Sequence, residues 1–377
     1  MKQFNEFLED EVKNLNDRCY LEVIVKLLND ATKNNYDFLI NNEHLGRNIC
    51  LLGLGGSHAY GTNIETSDLD IRGIATNSPS DILTNHNFEQ VCNSDTDTTI
   101  YSLNKMISLL TNCNPNTIEI LGLKPEHYLY TNEIGKRLIE NRHLFLSKKC
   151  IHTFGGYAYA QLRRLDNKSA RNLSQPEHEV HILHSVENAK DTFPEKFFSY
   201  PEDAIRLYVD KSEQEDMDTE IFMDINLKHY PLRDYKCMWA EMHNIVKEYA
   251  KLGHRNKNAI DRGKLNKHYL HLLRLYMMCI DILEKEEIIT YREDEHDLLM
   301  SIRQNDNYEY IDENNQPTER AMKLVDEYQK RMEEAQKKTK LPDKPDYKAI
   351  NKLLESINRK IIIDEHEKIM NIMGGFD

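Results

Sequence analysis

The sequence has no closely spaced cysteine pair and no long apolar run. Its seven cysteines are odd in number and widely scattered, and no CxxC occurs among them. This excludes a zinc knuckle and argues against a disulfide framework, and it fits a reducing compartment. No segment approaches the ~20 apolar residues of a membrane span, and the acidic start MKQFNEFLEDEVKNLNDR does not resemble a signal peptide. We therefore expect a soluble cytoplasmic protein.

Excess positive charge is also missing. The 377 residues carry 63 acidic and 49 basic side chains, for a net charge of -14. Proteins that bind polyanions passively and without sequence preference are usually basic overall, so this class is disfavoured, although a local basic patch is not excluded.

Hydrophobic periodicity predicts two modules. Apolar residues at helical spacing within 3–40 indicate one or two helices, and NICLLGLGG, DLDIRGIAT and DTTIYSL read as strands. Helices are predicted for LNKMISLLTN and for NPNTIEILGL, the second capped by Asn114 with Pro115 at its first position. From about Lys148 the pattern is helical, apart from polar loops at 210–220 and 303–319. Five helical segments are expected there: FGGYAYAQLRRL, EHEVHILHSVENA, DYKCMWAEMHNIVKEYAKL, KLNKHYLHLLRLYMMCIDILEKE and ERAMKLVDEYQKRMEEAQKK.

The stretch GLGGSHAYGTNIETSDLDIRGIAT, residues 53–76, joins a glycine-rich turn to two aspartates. It fits neither the Walker A loop, because no lysine follows a glycine here, nor the dinucleotide fingerprint, because His58 stands where the third glycine belongs. Glycines nevertheless let a backbone approach an anion closely, and Ser57 adds a hydroxyl at a helix start, where free N–H groups favour negative charge.

Asp68 and Asp70 are two residues apart in the predicted strand DLDIRGIAT, so their side chains should leave the same face. Paired carboxylates suit hard divalent cations, which commonly share their ligands with substrate phosphates. A triphosphate held at the turn would then lie beside a two-metal site on the next strand. The plainer alternative is a tight turn followed by a solvated acidic loop.

The combination GGSHAYGT…SDLDIRG resembles the signature of the polymerase β-like nucleotidyltransferase superfamily. With NPNTIEIL, FGGYAYAQLRRL and NKHYLHLLRL it is similar to the RNA-repair-pathway polymerase β-like proteins of bacteria and large phages. The resemblance covers about 50–130 closely and resumes at 154–165 and 264–303, whereas 170–260 fits poorly. It implies an α+β fold, with a small mixed or antiparallel sheet flanked by helices and a mostly helical C-terminal domain. The expected domains are a catalytic domain at 1–147 and a helical domain at 148–377, in which 170–260 is an insertion or an acceptor-binding element.

The resemblance also implies site residues. Gly56 and Ser57 would bind the donor triphosphate, and Asp68 and Asp70 would be catalytic and hold Mg²⁺ or Mn²⁺. A third carboxylate is needed as general base or metal ligand. Asp97 is the preferred residue for this role, and Asp95 and Glu119 are the alternatives.

Five further side chains are candidates for nucleotide binding. Arg72 should lie on the aspartate face, where it orients a carboxylate, touches phosphate or pairs with a neighbouring acid, and Tyr60 packs on a base or in the core. Lys267, His271 and Arg274 recur at i, i+4 and i+7, which puts them on one helix face, either toward polyphosphate or toward solvent.

Two histidine-bearing or basic segments carry weaker signals. Residues 251–268 are rich in lysine and arginine and contain one acid, Asp261, so they would guide an RNA acceptor or dock on the protein's own acidic surface. In HEVHILH, His178 and His181 share a helix face, but Ile182 stands where the metalloprotease motif needs histidine. A partly exposed helix is the preferred interpretation there.

The expected activity is transfer of a nucleoside monophosphate from an NTP to an acceptor hydroxyl, with release of pyrophosphate. An RNA 3′ end is the favoured acceptor, as in tRNA or RNA repair. The alternatives are an enzyme that modifies a protein hydroxyl and a non-catalytic protein that binds nucleotide or RNA. No membrane partner is expected.

Overall fold

The structure is a computed structural model that describes residues 17–169, 180, 183–184, 187–188, 190–191, 193–197, 200–201, 204–211, 219–254, 262–304, 308–313 and 316–374. The chain divides into two compact units. The first contains the described residues of Met1–Ala160, Leu270–Gln304 and Lys323–Asp377, and the second those of Gln161–Tyr269 and Asn305–Met322. Whether 1–147 forms a separate catalytic domain stays a prediction.

Strands and short helices alternate in the first part of the chain. In order they are α1 Asp17–Thr32, α2 Phe38–Asn41, β1 Ile49–Leu54, α3 Gly56–Tyr60, β2 Ile71–Ala75, α4 Pro79–Thr84, β3 Gln90–Asn93, β4 Thr98–Ser102, α5 Leu103–Thr111, α6 Pro115–Ile118, β5 Tyr128–Thr131 and α7 Glu133–Glu140. The later elements are α8 Lys149–Ser169, α9 Phe193–Lys196, β6 Ile205–Lys211, β7 Thr219–Ile225, α10 Leu232–His254, α11 Arg262–Lys285, α12 His296–Gln304, α13 Glu319–Lys338 and α14 Tyr347–Gly374. The fold is therefore α+β, as the resemblance implied.

Five strands of the first unit form a mixed sheet in the order β3-β4-β2-β1-β5. β1 pairs antiparallel with β2 and β5, and β3 pairs antiparallel with β4, whereas β2 and β4 run parallel. In β1, an interior strand paired on both edges, every residue is buried, which is typical of a strand covered on both faces. A buried apolar cluster joins α1 and α2 to the sheet; it includes Leu21, Ile24, Leu28, Leu39, Leu52, Ile71 and Ile100.

The second unit contains the antiparallel hairpin β6–β7 and its own apolar cluster. Phe193, Phe197 and Tyr200 pack edge to face, and Ile205 of β6 and Met238 of α10 belong to the same cluster. No strand was predicted in this part of the chain. The predicted loop at 210–220 instead begins in β6 and ends in β7, and its residues 212–218 lie outside the described residues.

Predicted helices within the described residues are confirmed as α1, α5, α6, α8, α10, α11 and α13, and the predicted strands NICLLGLGG and DTTIYSL are confirmed as β1 and β4. Several other elements were not predicted from the local pattern. Asn114 caps α6 and Pro115 is its first residue, as expected. The short strands β3 and β5 and the helices α12 and α14 were not predicted. The predicted helix at 177–189 and the part of the N-terminal helix before residue 17 lie largely or wholly outside the described residues.

The strand predicted as DLDIRGIAT is shorter than expected and begins at Ile71, so the placement of Asp68 and Asp70 within it is wrong. The reason is loss of the partner strand. β1 pairs with β2 as far as Leu54 opposite Ile71, and the chain then turns away at Gly55, whose N–H makes one more bond, to the Asp70 carbonyl. Among the described residues, no strand pairs with Asp68.

In the part of the chain that is described, no helix combines the length and apolar character needed to cross a membrane.

Candidate active site

Three chain segments meet at one edge of the mixed sheet. β1 leaves the sheet at Leu54, and the antiparallel strand β2 enters it opposite, at Ile71. Because β4 is parallel to β2 and Thr98 pairs with Ile71, the residues just before these strands, Asp70 and Asp97, are neighbours. The Ile71 N–H donates to the Asp97 carbonyl at 3.3 Å. The sheet topology therefore brings the glycine turn and two carboxylates together.

The glycine turn lies directly against Asp70. The Gly55 N–H donates to the Asp70 carbonyl at 2.8 Å. Gly56 has φ +54, and a Cβ at this position would coincide with the Asp70 carboxylate. A side chain at position 56 would thus face both a left-handed backbone and occupied space. Gly56 and the half-buried Ser57 begin α3, beside Asp70.

Asp70 and Asp97 form a hydrogen-bonded carboxyl pair. Burial raises the pKa of Asp70 to about 7, with further contributions from its hydrogen bond to Asp97 and from the negative charge of Asp97. Asp97 is more exposed, at 59% against 19% for the Asp70 side chain, and its hydrogen bond with Asp70 lowers its pKa. Below about pH 7 the pair therefore holds one proton, which Asp70 carries and donates to the Asp97 carboxylate.

Arg72 holds the two carboxylates in place. Its Nη1 donates to the Asp97 carbonyl at 2.6 Å and to the Ile71 carbonyl at 3.0 Å. Its Nη2 lies 3.3 Å from Asp97 Oδ1 and 3.7 Å from Asp70 Oδ1. Of the alternatives given for Arg72, the structure shows pairing with neighbouring acids, Asp70 and Asp97.

The three candidates for the third carboxylate occupy different environments. Asp97 was expected to be the first residue of the strand DTTIYSL. It instead ends the turn between β3 and β4, with φ +43, and the strand begins at Thr98. Asp95 lies in the same turn, exposed, with its N–H bonded to Asn93 Oδ1; it is not on the strand face. Glu119 is buried, and its negative charge contributes to the raised pKa of Asp70.

Asp68 is exposed in the segment before β2. Among the described residues, no group of three or more His, Cys, Asp or Glu side chains is arranged to hold a metal ion. Of the three predicted metal ligands, the structure thus brings Asp70 and Asp97 together. Their oxygen donors fit a hard divalent cation, since such a cation would replace the proton that the pair shares.

Residues 29–191 match the model of the RNA repair pathway DNA polymerase beta family. Over this stretch the chain is similar to that family. The resemblance inferred from the glycine turn and the aspartates is confirmed, and the match extends beyond 50–130 in both directions without reaching 264–303. No curated protein and no solved structure matches the chain.

A buried charge cluster joins Tyr60 and Glu119, within residues 29–191, to Arg274, which lies outside that range. The Tyr60 hydroxyl donates to Glu119 Oε2 at 2.6 Å, and Arg274 Nη1 donates to the same oxygen at 3.1 Å. The Arg274 guanidinium also lies 3.5 Å above the centre of the Tyr60 ring. Side-chain exposure is 1% for Arg274 and 8% for Glu119. Removing one partner of such a pair costs about 3–5 kcal/mol, because the other charge stays buried and unpaired.

The other two members of the predicted helix face differ in exposure. Arg274 Nη2 donates to His271 Nδ1 at 2.9 Å. Because a guanidinium can only donate, this Nδ1 accepts and the proton of the ring is on Nε2. His271 is half-buried, and Lys267 is exposed. Nucleotide contact by these residues, by Tyr60 and by Arg274 stays a prediction. His178, His181, Lys257 and Asp261 lie outside the described residues.

The segment after α11 packs against both the glycine-turn helix and the Glu119 turn, which the sequence did not indicate. The Thr290 hydroxyl donates to the Glu119 carbonyl at 2.8 Å, and the Thr290 N–H donates to the Gly122 carbonyl at 3.2 Å. The Tyr291 ring covers Gly61, the left-handed residue that ends α3. No local pattern in the loop sequence marks these contacts, because they depend on chain segments some 170 residues apart.

Proposed function

We propose that this protein is a divalent-metal-dependent nucleotidyltransferase that moves a nucleoside monophosphate from an NTP to an acceptor hydroxyl and releases pyrophosphate. The match of residues 29–191 to the polymerase beta family model supports this class of reaction. The observation that carries the proposal is the carboxyl pair of Asp70 and Asp97 at the same sheet edge as the Gly55–Gly56 turn.

In this proposal the residues of the glycine turn and the carboxylates have different roles. The backbone at Gly55 and Gly56 and the Ser57 hydroxyl would bind the donor triphosphate, since no side chain of the turn obstructs a close approach. Asp70 and Asp97 would hold the cation, and Asp68, exposed nearby in sequence, would complete its ligands. Arg72 would keep both carboxylates oriented through its contacts to Asp70 and Asp97.

The cation, when bound, supplies Lewis-acid polarisation of the α-phosphate and a lowered pKa for the attacking hydroxyl. Its binding requires that Asp70 lose its proton, because carboxylates bind metals in their ionised form. Asp97 remains ionised over a wider pH range, since its pKa is lowered. It is therefore our candidate for the third carboxylate, in preference to Asp95 and Glu119.

An RNA 3′ end is the acceptor we favour, because the family whose model matches residues 29–191 is described as an RNA repair pathway family. The basic segment 251–268 would contribute phosphate contacts. Neutralising Lys257, Arg262 and Lys264 should weaken RNA binding and flatten its dependence on salt. If both properties are unchanged, RNA is not the acceptor at this segment, and a protein hydroxyl becomes the better candidate.

The experiment that tests the function is nucleotide labelling. The full chain is incubated with each labelled NTP, Mg²⁺ and a pool of tRNA or nicked RNA, beside Asp70→Ala. We expect label in RNA with the wild type and none with the variant. Equal labelling by the two proteins would exclude the transferase. NTP binding that is independent of Mg²⁺ and that tolerates Asp68→Asn would instead indicate a non-catalytic nucleotide-binding protein.

A further inference from the structure

Arg274 lies beyond residues 29–191, yet it is among the most deeply buried large side chains described. Its guanidinium contacts four groups: Glu119 Oε2, the Tyr60 ring, His271 Nδ1 and, at 3.1 Å, Met278 Sδ. Its Nε has no hydrogen-bond partner among the described residues. Burying a guanidinium with one unmade hydrogen bond costs free energy, so its remaining contacts must compensate for that cost.

The residues around Arg274 connect it to the glycine turn. Tyr60 is the last residue of α3, the five-residue helix that begins at Gly56. So short a helix has little hydrogen bonding of its own, and its position depends on what holds its ends. At the first end, Gly55 bonds to the Asp70 carbonyl. At the other end, Tyr60 is held by Glu119 through its hydroxyl and by Arg274 through its ring.

We propose that Arg274 is a positioning residue for the glycine turn, acting through Tyr60 and Glu119 to keep Gly55 and Gly56 seated against Asp70. Arg274, Tyr60, Glu119 and the turn belong to the same compact unit. This inference rests on the proposed function only for its effect on activity. The structural part of the proposal, that Arg274 of α11 anchors α3, does not depend on the proposed function and is tested separately.

The charge arrangement favours arginine specifically. Glu119 Oε2 receives hydrogen bonds from both Tyr60 and Arg274, so its negative charge is compensated and both donors are fixed at one atom. The planar guanidinium also stacks on the Tyr60 ring while its Nη1 reaches Glu119. A lysine ammonium could pair with Glu119 but lacks the planar face that covers the ring. Arg274→Lys should therefore restore only part of what Arg274→Met loses.

The test compares four variants of the full chain: Arg274→Met, Arg274→Lys, Tyr60→Phe and, as the matched control, Asp281→Asn. Asp281 is also buried, also on α11, and also ion-paired, with Arg292 and Lys285, but it makes no contact with Tyr60 or Glu119 among those described. Tyr60→Phe keeps the ring beneath Arg274 and removes only the donor to Glu119. If Arg274→Met does not fold, Tyr60→Phe and Arg274→Lys still test whether Arg274 positions the glycine turn.

The first readout is amide hydrogen exchange of peptides covering 54–62, which does not depend on any activity. We expect exchange there to rise about tenfold or more in the Arg274 and Tyr60 variants but not in Asp281→Asn, which should raise exchange around α11 instead. Unchanged exchange at 54–62 in Tyr60→Phe and Arg274→Lys would overturn the proposal. So would an equal rise in the control, because the effect would then be global.

The second readout is kcat/KM for the NTP. We expect losses of roughly 10- to 100-fold in Arg274→Met, with partial recovery in Arg274→Lys and little change in Asp281→Asn, because small displacements of a catalytic group are costly. Full activity in Arg274→Met would overturn the inference. If the wild type transfers no nucleotide, the proposed function fails, whereas the exchange measurement still decides whether Arg274 anchors the turn.

Discussion

The carboxylate of Asp70 occupies the space that a Cβ would need at position 56, so Gly56 and Asp70 determine each other's placement. The turn and the acidic residue are fourteen positions apart in the chain. Their contact makes them one structural unit, in which the residue that would bind phosphate and the residue that would bind the cation cannot move independently.

Gly56→Ala should abolish this arrangement. The substitution places a methyl group on the Asp70 carboxylate and forces an L side chain to φ +54, so we expect a loss of about 1–3 kcal/mol in the free energy of unfolding and a loss of transfer activity of at least ~100-fold. Urea unfolding and the labelling assay measure the two effects. Gly155→Ala in α8 is the control: nothing lies within 4 Å of a Cβ there, so stability should be unchanged or should rise by up to ~1 kcal/mol.

Asp97 and Asp95 can be separated by matched variants. Asp97 contacts Asp70 and Arg72, whereas Asp95 is exposed in the same turn. Asp97→Asn and Asp70→Asn should each lower kcat/KM by at least ~100-fold, since each removes a carboxylate proposed as a cation ligand. Asp95→Asn should stay within about twofold of the wild type. The reverse order of effects would make Asp95 the third carboxylate.

The stability of the metal-free protein should depend on Asp70. Its pKa in the folded chain, about 7, lies above its ordinary value of 3.8. Between these values the folded chain binds more protons than the unfolded chain, so this group makes the free energy of unfolding fall as the pH rises. Asp70→Asn removes that titration and should gain stability relative to the wild type between about pH 4 and pH 7. The lowered pKa of Asp97 acts below this window.

Denaturant unfolding in EDTA at the two ends of that window measures the effect. The difference between Asp70→Asn and the wild type should grow with pH. A constant difference would show that the Asp70 carboxyl has no raised pKa in the folded protein.

Mn²⁺ or Mg²⁺ should raise the Tm of the wild type, because a ligand that binds only the folded chain stabilises it by RT ln(1 + [L]/Kd), about 2.7 kcal/mol at 100 times Kd. The increase should be larger at about pH 8 than at about pH 6, since the carboxyl pair holds a proton at the lower pH. Asp70→Asn and Asp97→Asn should lose most of the increase. An equal Tm increase in wild type and both variants would place the cation elsewhere.

The sequence alone determined the character of this site. The spacing of GGS and DLD indicated a turn next to acidic residues, and the resemblance it carried was confirmed by the family match over 29–191. The long helices also followed from the sequence: α5, α10, α11 and α13 have apolar residues at helical spacing, and this pattern is local. These features need no knowledge of distant partners.

Only the tertiary structure decided which of these residues meet. β2 begins at Ile71 and not at Asp68, because a strand extends only as far as its neighbours pair with it. Asp97 became the partner of Asp70 because β4 runs parallel to β2 in register. Arg274, predicted on a helix face toward polyphosphate or toward solvent, is buried against Glu119, because the chain folds to bring together two charges that are 155 positions apart. Sequence periodicity describes one element at a time, whereas register, burial and ion pairing are properties of elements in contact.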